Sequence, residues 1–291
     1  MKKILVFGSN GLLGSSLVPY LTGRKQEVVT AGRSSLLHHV LNTTDVRALT
    51  SLLDNTRPDV VINLIAATNV DICEADIPMA MQSNALIPAA ISQAIAQSSN
   101  SLATHFIHIS TDQVYNGEGG HIEDNVSPVN VYGLTKLTGE LMISCPRSTV
   151  LRTNFYGKSQ CASRTSFSDW IYGALLRSEN ITLFTDVYFS ALHVSSICDV
   201  IERIYQNEIT GTYNLGCKNG ISKAEFAVEF AKQLGLPIES ARMGRLQEHP
   251  LKARRPLNTI MDTNRLEKTL GLKCPDIQDE IIRTAMEYKH A

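Results

Sequence analysis

The segment KILVFGSNGLLG, from Lys3 to Gly14, sets an apolar run directly before three glycines at intervals of three residues. The run has no polar alternation, as expected of a parallel strand that is covered on both faces. The leucines that follow, up to Leu21, recur at helical spacing. The segment therefore predicts a strand, a tight turn and a helix.

The same alternation of strand and helix continues through the first half of the chain. Further apolar strands are predicted at residues 27–31, 59–65, 105–110 and 150–152, and helices at 45–53, at 78–97 and around Tyr132. This order predicts an α/β fold with a doubly wound parallel sheet of the Rossmann type, in which ligands bind at the carboxyl ends of the strands.

A looser pattern follows residue 157, with helices predicted near residues 167–176, 194–205, 223–234 and 277–286. We expect residues 1–157 to form the Rossmann domain and residues 158–291 to form a smaller C-terminal α/β lobe that binds the substrate. Residues 192–215 are expected to return to the sheet of the first domain.

Composition and charge narrow the classes of ligand. The 291 residues carry a net charge of -1, which gives no field that would draw the molecule to nucleic acid or to an anionic membrane. The apolar run at the N-terminus ends at Gly8, too early for a signal peptide or a membrane span. The six scattered cysteines predict free thiols in a cytoplasmic protein, and we expect small-molecule ligands.

The glycine turn is the first candidate binding site. Glycines between a strand and a helix permit close backbone approach, and the helix N-terminus attracts a pyrophosphate, so the turn predicts a dinucleotide site. The spacing departs from G-x-G-x-x-G, and a purely structural turn is the alternative. Because the second strand ends in Ala31-Gly32-Arg33-Ser34, without a carboxylate for the ribose hydroxyls, we expect NADP(H) over NAD(H). The alternative for Arg33 is a solvated surface charge.

Tyr132 and Lys136 are the candidate catalytic pair. Four residues along a helix place the ammonium on the same face as the phenol. A phenol with a pKa of about 10 is a weak proton donor at neutral pH unless a neighbouring cation stabilises the phenolate. Ser110-Thr111-Asp112 follows a strand and would bring a hydroxyl and a carboxylate to the same place. The alternatives are a lysine stacked on a half-buried tyrosine and a simple helix cap.

These three elements, in this order, resemble the extended short-chain dehydrogenase/reductase family over nearly the whole chain. Finer features resemble its dTDP-4-dehydrorhamnose reductase (RmlD-like) branch. They are Ala66-Ala67-Thr68-Asn69-Val70-Asp71, Glu74, Asn84, Ser127-Pro128-Val129-Asn130-Val131-Tyr132-Gly133, Arg255-Pro256 and Asp262-Thr263-Asn264-Arg265-Leu266.

The resemblance implies a role for each catalytic residue. Tyr132 would donate the proton, Lys136 would bind the nicotinamide ribose and lower the pKa of Tyr132, Thr111 would bond the substrate carbonyl, and Asp112 would orient the sugar. The cofactor would lie against Gly8, Asn10, Gly11, Leu12, Leu13, Gly14, Arg33, Asn42, Thr43, Ala66, Ala67, Thr68, Asn84, Tyr132 and Lys136. The substrate would meet Thr111, Asp112, Asn154, Phe155, Arg254 and Arg255.

Three positions depart from the pattern of the branch. Asn42 replaces a commoner acid by the adenine, Cys73 replaces a residue that is often lysine, and Phe155 stands near the usual tryptophan. These departures leave reductase chemistry intact and leave the particular sugar open.

A basic segment in the second lobe is a candidate for binding a diphosphate, because arginine forks match phosphate oxygens. The alternative is a solvated basic face. The segment contains Arg242, Arg245, Lys252, Arg254 and Arg255. Trp170 is expected to be a packing residue.

The sequence thus predicts an NADPH-dependent reductase of the 4-keto group of a nucleoside-diphosphate deoxysugar, with the cofactor in the first domain and the nucleotide sugar in the second lobe. NAD(H) use stays open, and no metal is expected in the chemistry. The alternatives are a nucleotide-sugar 4-epimerase and a non-catalytic NADP-binding regulatory subunit. A homodimer is possible, because the sequence does not decide the oligomeric state.

Overall fold

The computed structural model describes residues 1–162 and 164–289. Its strands, numbered β1 to β13, are Lys3–Phe7, Glu27–Gly32, His39–Val40, Val60–Asn63, His105–Thr111, Ser148–Thr153, Phe155–Tyr156, Ile181–Phe184, Tyr188–Phe189, Leu192–His193, Gly211–Leu215, Ile221–Ser222 and Ala241–Gly244. Its α-helices, numbered α1 to α11, are Leu12–Gly23, Val46–Thr56, Val70–Ala75, Ile77–Met81, Ile87–Gln97, Val131–Leu141, Phe167–Leu176, Val194–Gln206, Lys223–Leu234, Asn264–Leu270 and Ile277–Lys289.

A parallel sheet forms the centre of the molecule. Within the described residues it has seven strands in the order β11-β6-β5-β4-β1-β2-β3. Each neighbouring pair runs parallel. The doubly wound α/β prediction is therefore confirmed.

Strand β1 shows why its sequence lacks alternation. Ile4 and Val6 belong to the core on one face of the sheet, whereas Leu5 and Phe7 belong to the core on the other. Successive side chains of a strand point to opposite faces, so a strand with helices on both faces is apolar at every position.

Two local features differ from the sequence expectation. The helix predicted at residues 78–97 is interrupted by a π-helical turn at Gln82–Leu86, between α4 and α5. The backbone of α6 approaches this turn closely, since a Cβ on Gly139 would lie 2.1 Å from the Asn84 carbonyl oxygen. The short edge strand β3 was not predicted, because its two residues are exposed and show no apolar pattern.

The second half of the chain packs on the same sheet. Strand β11 pairs in parallel with β6 at the end of the sheet. Phe226 and Phe230 of α9 share one buried cluster with Ile4 of β1, so the core is continuous between the two halves. The structure has free thiols, as predicted, at Cys73, Cys145, Cys198, Cys217 and Cys274. Over the described residues, no helix has the length and apolar character needed to span a membrane.

A buried ion pair holds helix α6 on the sheet. The Arg152 guanidinium of β6 donates from Nη2 and Nε to the Glu140 carboxylate of α6, at 2.6 and 3.0 Å for Oε2. Both side chains are almost fully buried. Ser110 of β5 also donates to Glu140, and Arg152 Nη1 donates to the Tyr115 hydroxyl at 2.8 Å. The pair thus joins α6 to β5 and β6.

Replacing Glu140 by Gln is expected to lower the free energy of unfolding by about 3 kcal/mol or more, because it leaves the Arg152 charge buried without its counter-ion. Urea unfolding followed by circular dichroism measures the change. The matched control is Glu179→Gln, which breaks the exposed pair with Arg177 and should cost less than about 1 kcal/mol. Equal effects of the two variants would contradict the anchoring role of Glu140.

Candidate active site

The glycine turn between β1 and α1 is packed as tightly as its sequence suggests. Gly8 has a φ of +84°, and the Gly11 amide donates to the Gly8 carbonyl oxygen at 3.1 Å. A Cβ on Gly14 would lie 2.4 Å from the same oxygen. Only glycine fits at position 14, and Gly8 adopts a backbone conformation that other residues rarely take.

This turn fits a pyrophosphate. Gly11 is the N-cap residue of α1 and has no side chain to cap the first amides, which include those of Leu12 and Leu13. Uncapped amides at a helix N-terminus attract an anion. Asn10 lies in the same turn and is exposed. The phosphates of a dinucleotide would bind at this turn.

Other predicted cofactor residues line the same edge of the sheet. Arg33 follows β2 and is exposed, and no ion pair of its guanidinium occurs among residues 1–162 and 164–289. Ala66, Ala67 and Thr68 follow β4. Carboxyl ends of neighbouring parallel strands meet at one edge, so these segments and the glycine turn form one continuous surface.

Three predicted cofactor residues have side chains that are buried or that form hydrogen bonds within the chain. The Asn84 carboxamide is buried, accepts from the Ala67 amide at 2.8 Å and donates to the Thr135 hydroxyl at 3.1 Å. It therefore fixes the segment after β4 to α6. The Asn42 oxygen accepts from the Thr44 hydroxyl at 2.9 Å in an exposed turn, and Thr43 is buried.

Tyr132 lies in the first turn of α6, capped by Asn130, whose side chain accepts from the Gly133 amide at 2.8 Å. The phenol is 8% exposed and faces Thr111. Burial raises the pKa of Tyr132, Thr111 lowers it in part, and the Asp112 charge raises it further. The resemblance implied a lowered pKa. The pKa of Tyr132 is instead raised, because desolvation of the phenolate and the Asp112 charge together outweigh the hydrogen bond with Thr111.

Lys136 lies one turn further along α6 and is almost fully buried. Its ammonium donates to the Ile109 carbonyl oxygen at 2.7 Å and lies 3.4 Å from Nε2 of His108. Burial lowers the pKa of Lys136 to about 8, and the Glu140 charge acts in the opposite direction. His108 thus contacts Lys136, and burial holds the pKa of His108 well below its usual value.

Asp112 follows Thr111 and is buried where the two halves of the chain meet. Its Oδ2 accepts from Asn154 at 2.8 Å and from the Thr259 hydroxyl at 2.7 Å. Burial raises the pKa of Asp112, and these hydrogen bonds act in the opposite direction. The carboxylate is therefore held rigidly by two residues that are distant in sequence.

A cavity of about 300 Å³ opens beside Asp112. The predicted substrate residues Asp112, Asn154 and Arg255 line it, whereas Phe155 packs against the core and Arg254 is exposed outside it. The full lining is Asp112, Gln113, Asn154, Phe167, Trp170, Thr182, Leu183, Phe184, Val187, Tyr188, Phe189, Lys223, Leu246, Leu251, Arg255, Pro256 and Thr259. Such a volume is at the lower end of the range for small-molecule sites.

The basic segment of the second lobe is largely a solvated face. Of its five cations only Arg255 reaches the cavity, where its guanidinium donates to Asp71 Oδ2 and to the Ala253 carbonyl oxygen, each at 2.9 Å. Arg242 and Arg254 are exposed. The segment Ala253–Arg255 packs against Asp71 of α3, and this contact engages the one arginine of the basic segment that lines the cavity.

Several lining residues were not predicted from the sequence. Lys223 belongs to no recognised motif, and only its position at the start of a helix could have drawn attention to it. Thr259 lies close to Arg255-Pro256 and could have been included with that segment. Trp170, expected to be a packing residue, is 40% exposed at the cavity. Among the described residues, no cluster of three or more His, Cys, Asp or Glu side chains is placed to hold a metal ion.

A glycine turn at a helix N-terminus, with a tyrosine and a lysine one helical turn apart at the same sheet edge, defines a class of enzyme, and this chain is an NAD(P)-dependent oxidoreductase of that class. More narrowly, it belongs to the family described as the RmlD substrate binding domain, whose model matches residues 1–290.

The chain is similar to several reductases over nearly its whole length. It is 30% identical to the probable low-salt glycan biosynthesis reductase Agl14 of Haloferax volcanii, over 95% of each chain. It is 27% identical to dTDP-4-dehydrorhamnose reductase of Escherichia coli (strain K12), over 98% of this chain and 97% of the relative. The crystal structure of a dTDP-4-dehydrorhamnose reductase from Clostridium acetobutylicum matches with a TM-score of 0.86 and 26% identity, over 99% of each chain.

Replacing Gly14 by Ala is expected to lower the affinity for NADPH by at least about tenfold, the size of one lost hydrogen bond to a charged group. The new methyl group would displace the turn that carries the pyrophosphate site. Fluorescence titration with NADPH measures the affinity. Gly23→Ala is the matched control, because it lies in the same helix and its Cβ would meet open space. Unchanged affinity in the Gly14 variant would disprove the site.

Proposed function

We propose that the chain catalyses the NADPH-dependent reduction of the 4-keto group of a nucleoside-diphosphate deoxysugar. The observation that carries the proposal is the placement of Tyr132 against Thr111, next to the Asp112 carboxylate that lines the cavity. The names of the relatives in Escherichia coli and Clostridium acetobutylicum support the substrate class.

The proposed chemistry uses the groups already described. Bound NADPH supplies a hydride to the carbonyl carbon. Tyr132 donates its hydroxyl proton to the carbonyl oxygen as the alkoxide forms, and Thr111 orients that oxygen. The raised pKa of Tyr132 keeps the proton on the phenol at neutral pH until the alkoxide forms.

Lys136 would act on Tyr132 through its positive charge. With a pKa lowered to about 8, its ammonium remains largely protonated at neutral pH. A positive charge one helical turn from the phenol favours the phenolate that remains after proton transfer. Asn84 is a positioning residue in this scheme, because its hydrogen bonds with Ala67 and Thr135 hold the segment after β4 against α6.

NADP(H) is proposed as the preferred cofactor over NAD(H). The end of β2 offers the exposed guanidinium of Arg33 and no carboxylate at the tip. A cation there suits a ribose 2'-phosphate, whereas a carboxylate would repel it. Thr43 and the turn at Asn42 would lie near the adenine.

The direct test is to mix the protein with NADPH and a dTDP-4-keto-6-deoxyhexose generated in place, and to follow the absorbance of the reduced nicotinamide. Stoichiometric loss of absorbance with formation of the 4-hydroxy sugar supports a reductase. An isomerised sugar without net NADPH consumption would indicate a 4-epimerase instead. Tight NADPH binding with no turnover of any nucleotide sugar would indicate a regulatory subunit.

Replacing Tyr132 by Phe is expected to lower kcat by about 100-fold to 10,000-fold, the usual contribution of a positioned proton donor. The affinity for NADPH should stay within about twofold of wild type, since a ring of the same shape remains. Stopped-flow measurement of NADPH oxidation and a binding titration separate the two effects. A variant with wild-type kcat would rule out Tyr132 as the proton donor.

Replacing Arg33 by Ala is expected to raise KM for NADPH by about tenfold or more and to leave KM for NADH unchanged, because only the 2'-phosphate meets the guanidinium. Steady-state kinetics with both cofactors give the ratio. Arg203→Ala, at an exposed position on α8, is the control for loss of a surface charge. Parallel changes for NADPH and NADH would contradict a 2'-phosphate contact at Arg33.

A further inference from the structure

Lys223 is a cation inside the cavity that the proposed chemistry does not use. It is the first residue of α9, and its backbone amide donates to the Val187 carbonyl oxygen at 2.9 Å. Its ammonium lies 3.5 Å from the ring centroid of Phe189 and 4.1 Å from that of Phe167. Two aromatic faces therefore hold the charge in a fixed place within the cavity wall.

No carboxylate neutralises Lys223 at close range. Among residues 1–162 and 164–289, no Asp or Glu oxygen lies at ion-pair distance from its ammonium. Arg255, the other cation of the cavity lining, is bonded to Asp71 and to the Ala253 carbonyl oxygen. Lys223 is thus the cavity cation, within the described part of the chain, whose charge remains available to a ligand.

The fold disfavours the charged form of Lys223 in two ways. Burial lowers the pKa of Lys223 to about 8, and the Asp112 charge counteracts this only in part. A cation in the first turn of a helix also opposes the helix dipole. A residue that conflicts with its local environment and still faces a cavity is typical of a functional site.

The position of Lys223 along the cavity indicates which part of a ligand it meets. At one end, Asp112 is held by Asn154 and by Thr259, whose amide donates to the Tyr188 carbonyl oxygen at 3.0 Å. A second group of lining residues, on the side of β8 and β13, consists of Thr182–Phe184, Leu246 and Leu251. The Lys223 backbone amide bonds to Val187, which lies in the chain between β8 and Tyr188, so the lysine is anchored between these two groups of lining residues.

We propose that Lys223 binds the diphosphate of a nucleoside-diphosphate ligand and is the principal cation for that group in this cavity. The assignment rests on the proposed function, since it takes the sugar to lie at Asp112 and the base at the opposite end. In a nucleoside-diphosphate sugar the diphosphate joins sugar and base, so it would lie beside the Lys223 ammonium.

The test is calorimetric binding of dTDP, with UDP and GDP in parallel, to the full chain carrying Lys223→Met, Lys223→Arg or Lys218→Met. Lys223→Met is expected to weaken binding of the preferred nucleotide by about tenfold to 100-fold, the size of a lost hydrogen bond between charged groups. Lys223→Arg keeps the charge and should recover most of the affinity. Lys218→Met, an exposed lysine paired with Asp276, should bind like wild type.

Thermal unfolding checks that each variant is folded. Because Lys223→Met removes a desolvated cation from a helix N-terminus, its melting temperature should equal or exceed that of wild type. Equal nucleotide affinity in wild type and Lys223→Met would overturn the diphosphate assignment and leave the proposed reductase intact. Failure of the wild-type chain to bind any of the three nucleotides would instead overturn the proposed substrate class.

Discussion

The buried ion pair between Glu140 and Arg152 is the constraint on which the site depends. Helix α6 carries both Tyr132 and Lys136, and its far end is fixed to the sheet by this pair. The same guanidinium donates to the Tyr115 hydroxyl and to the Glu123 carbonyl oxygen. A charge of this kind is stable in the interior only when its donors are nearly all satisfied, so the pair imposes one position on α6 relative to β5 and β6.

From this anchor the polar network continues into the second half of the chain. The Tyr115 hydroxyl donates to Oδ1 of Asn214 in β11 at 2.7 Å, and Nδ2 of the Asn214 side chain donates to the carbonyl oxygens of His121 and Asp262. Asp112 and Asp71 make separate bonds to the segment that contains Arg255 and Thr259. The cavity therefore depends on contacts between the two halves of the chain, because Asp112, Gln113 and Asn154 come from the first half and the other lining residues from the second.

Two buried lysines in the site reduce the stability of the folded chain. Burial lowers the pKa values of Lys136 and Lys223 to about 8, from an ordinary 10.5. The unfolded chain binds these protons more tightly, so both groups oppose folding at neutral pH, and this opposition declines as the pH rises from about 8 to 10.5. Charges kept at such positions are expected where a ligand or a reacting group later provides the missing partner.

The sequence by itself determined the features that rest on neighbouring residues. KILVFGSNGLLG specified a strand, a glycine turn and a helix, because backbone sterics and residue periodicity act over a few positions. The four-residue interval from Tyr132 to Lys136 likewise placed both groups on one helix.

Only the tertiary structure decided the features that depend on burial and on contacts between distant segments. These are the raised pKa of Tyr132, the π-helical turn at Asn84, the ion pair that engages Arg255 and the presence of Lys223 in the cavity. Desolvation and long-range packing cause all four, and neither has a local signature in the sequence.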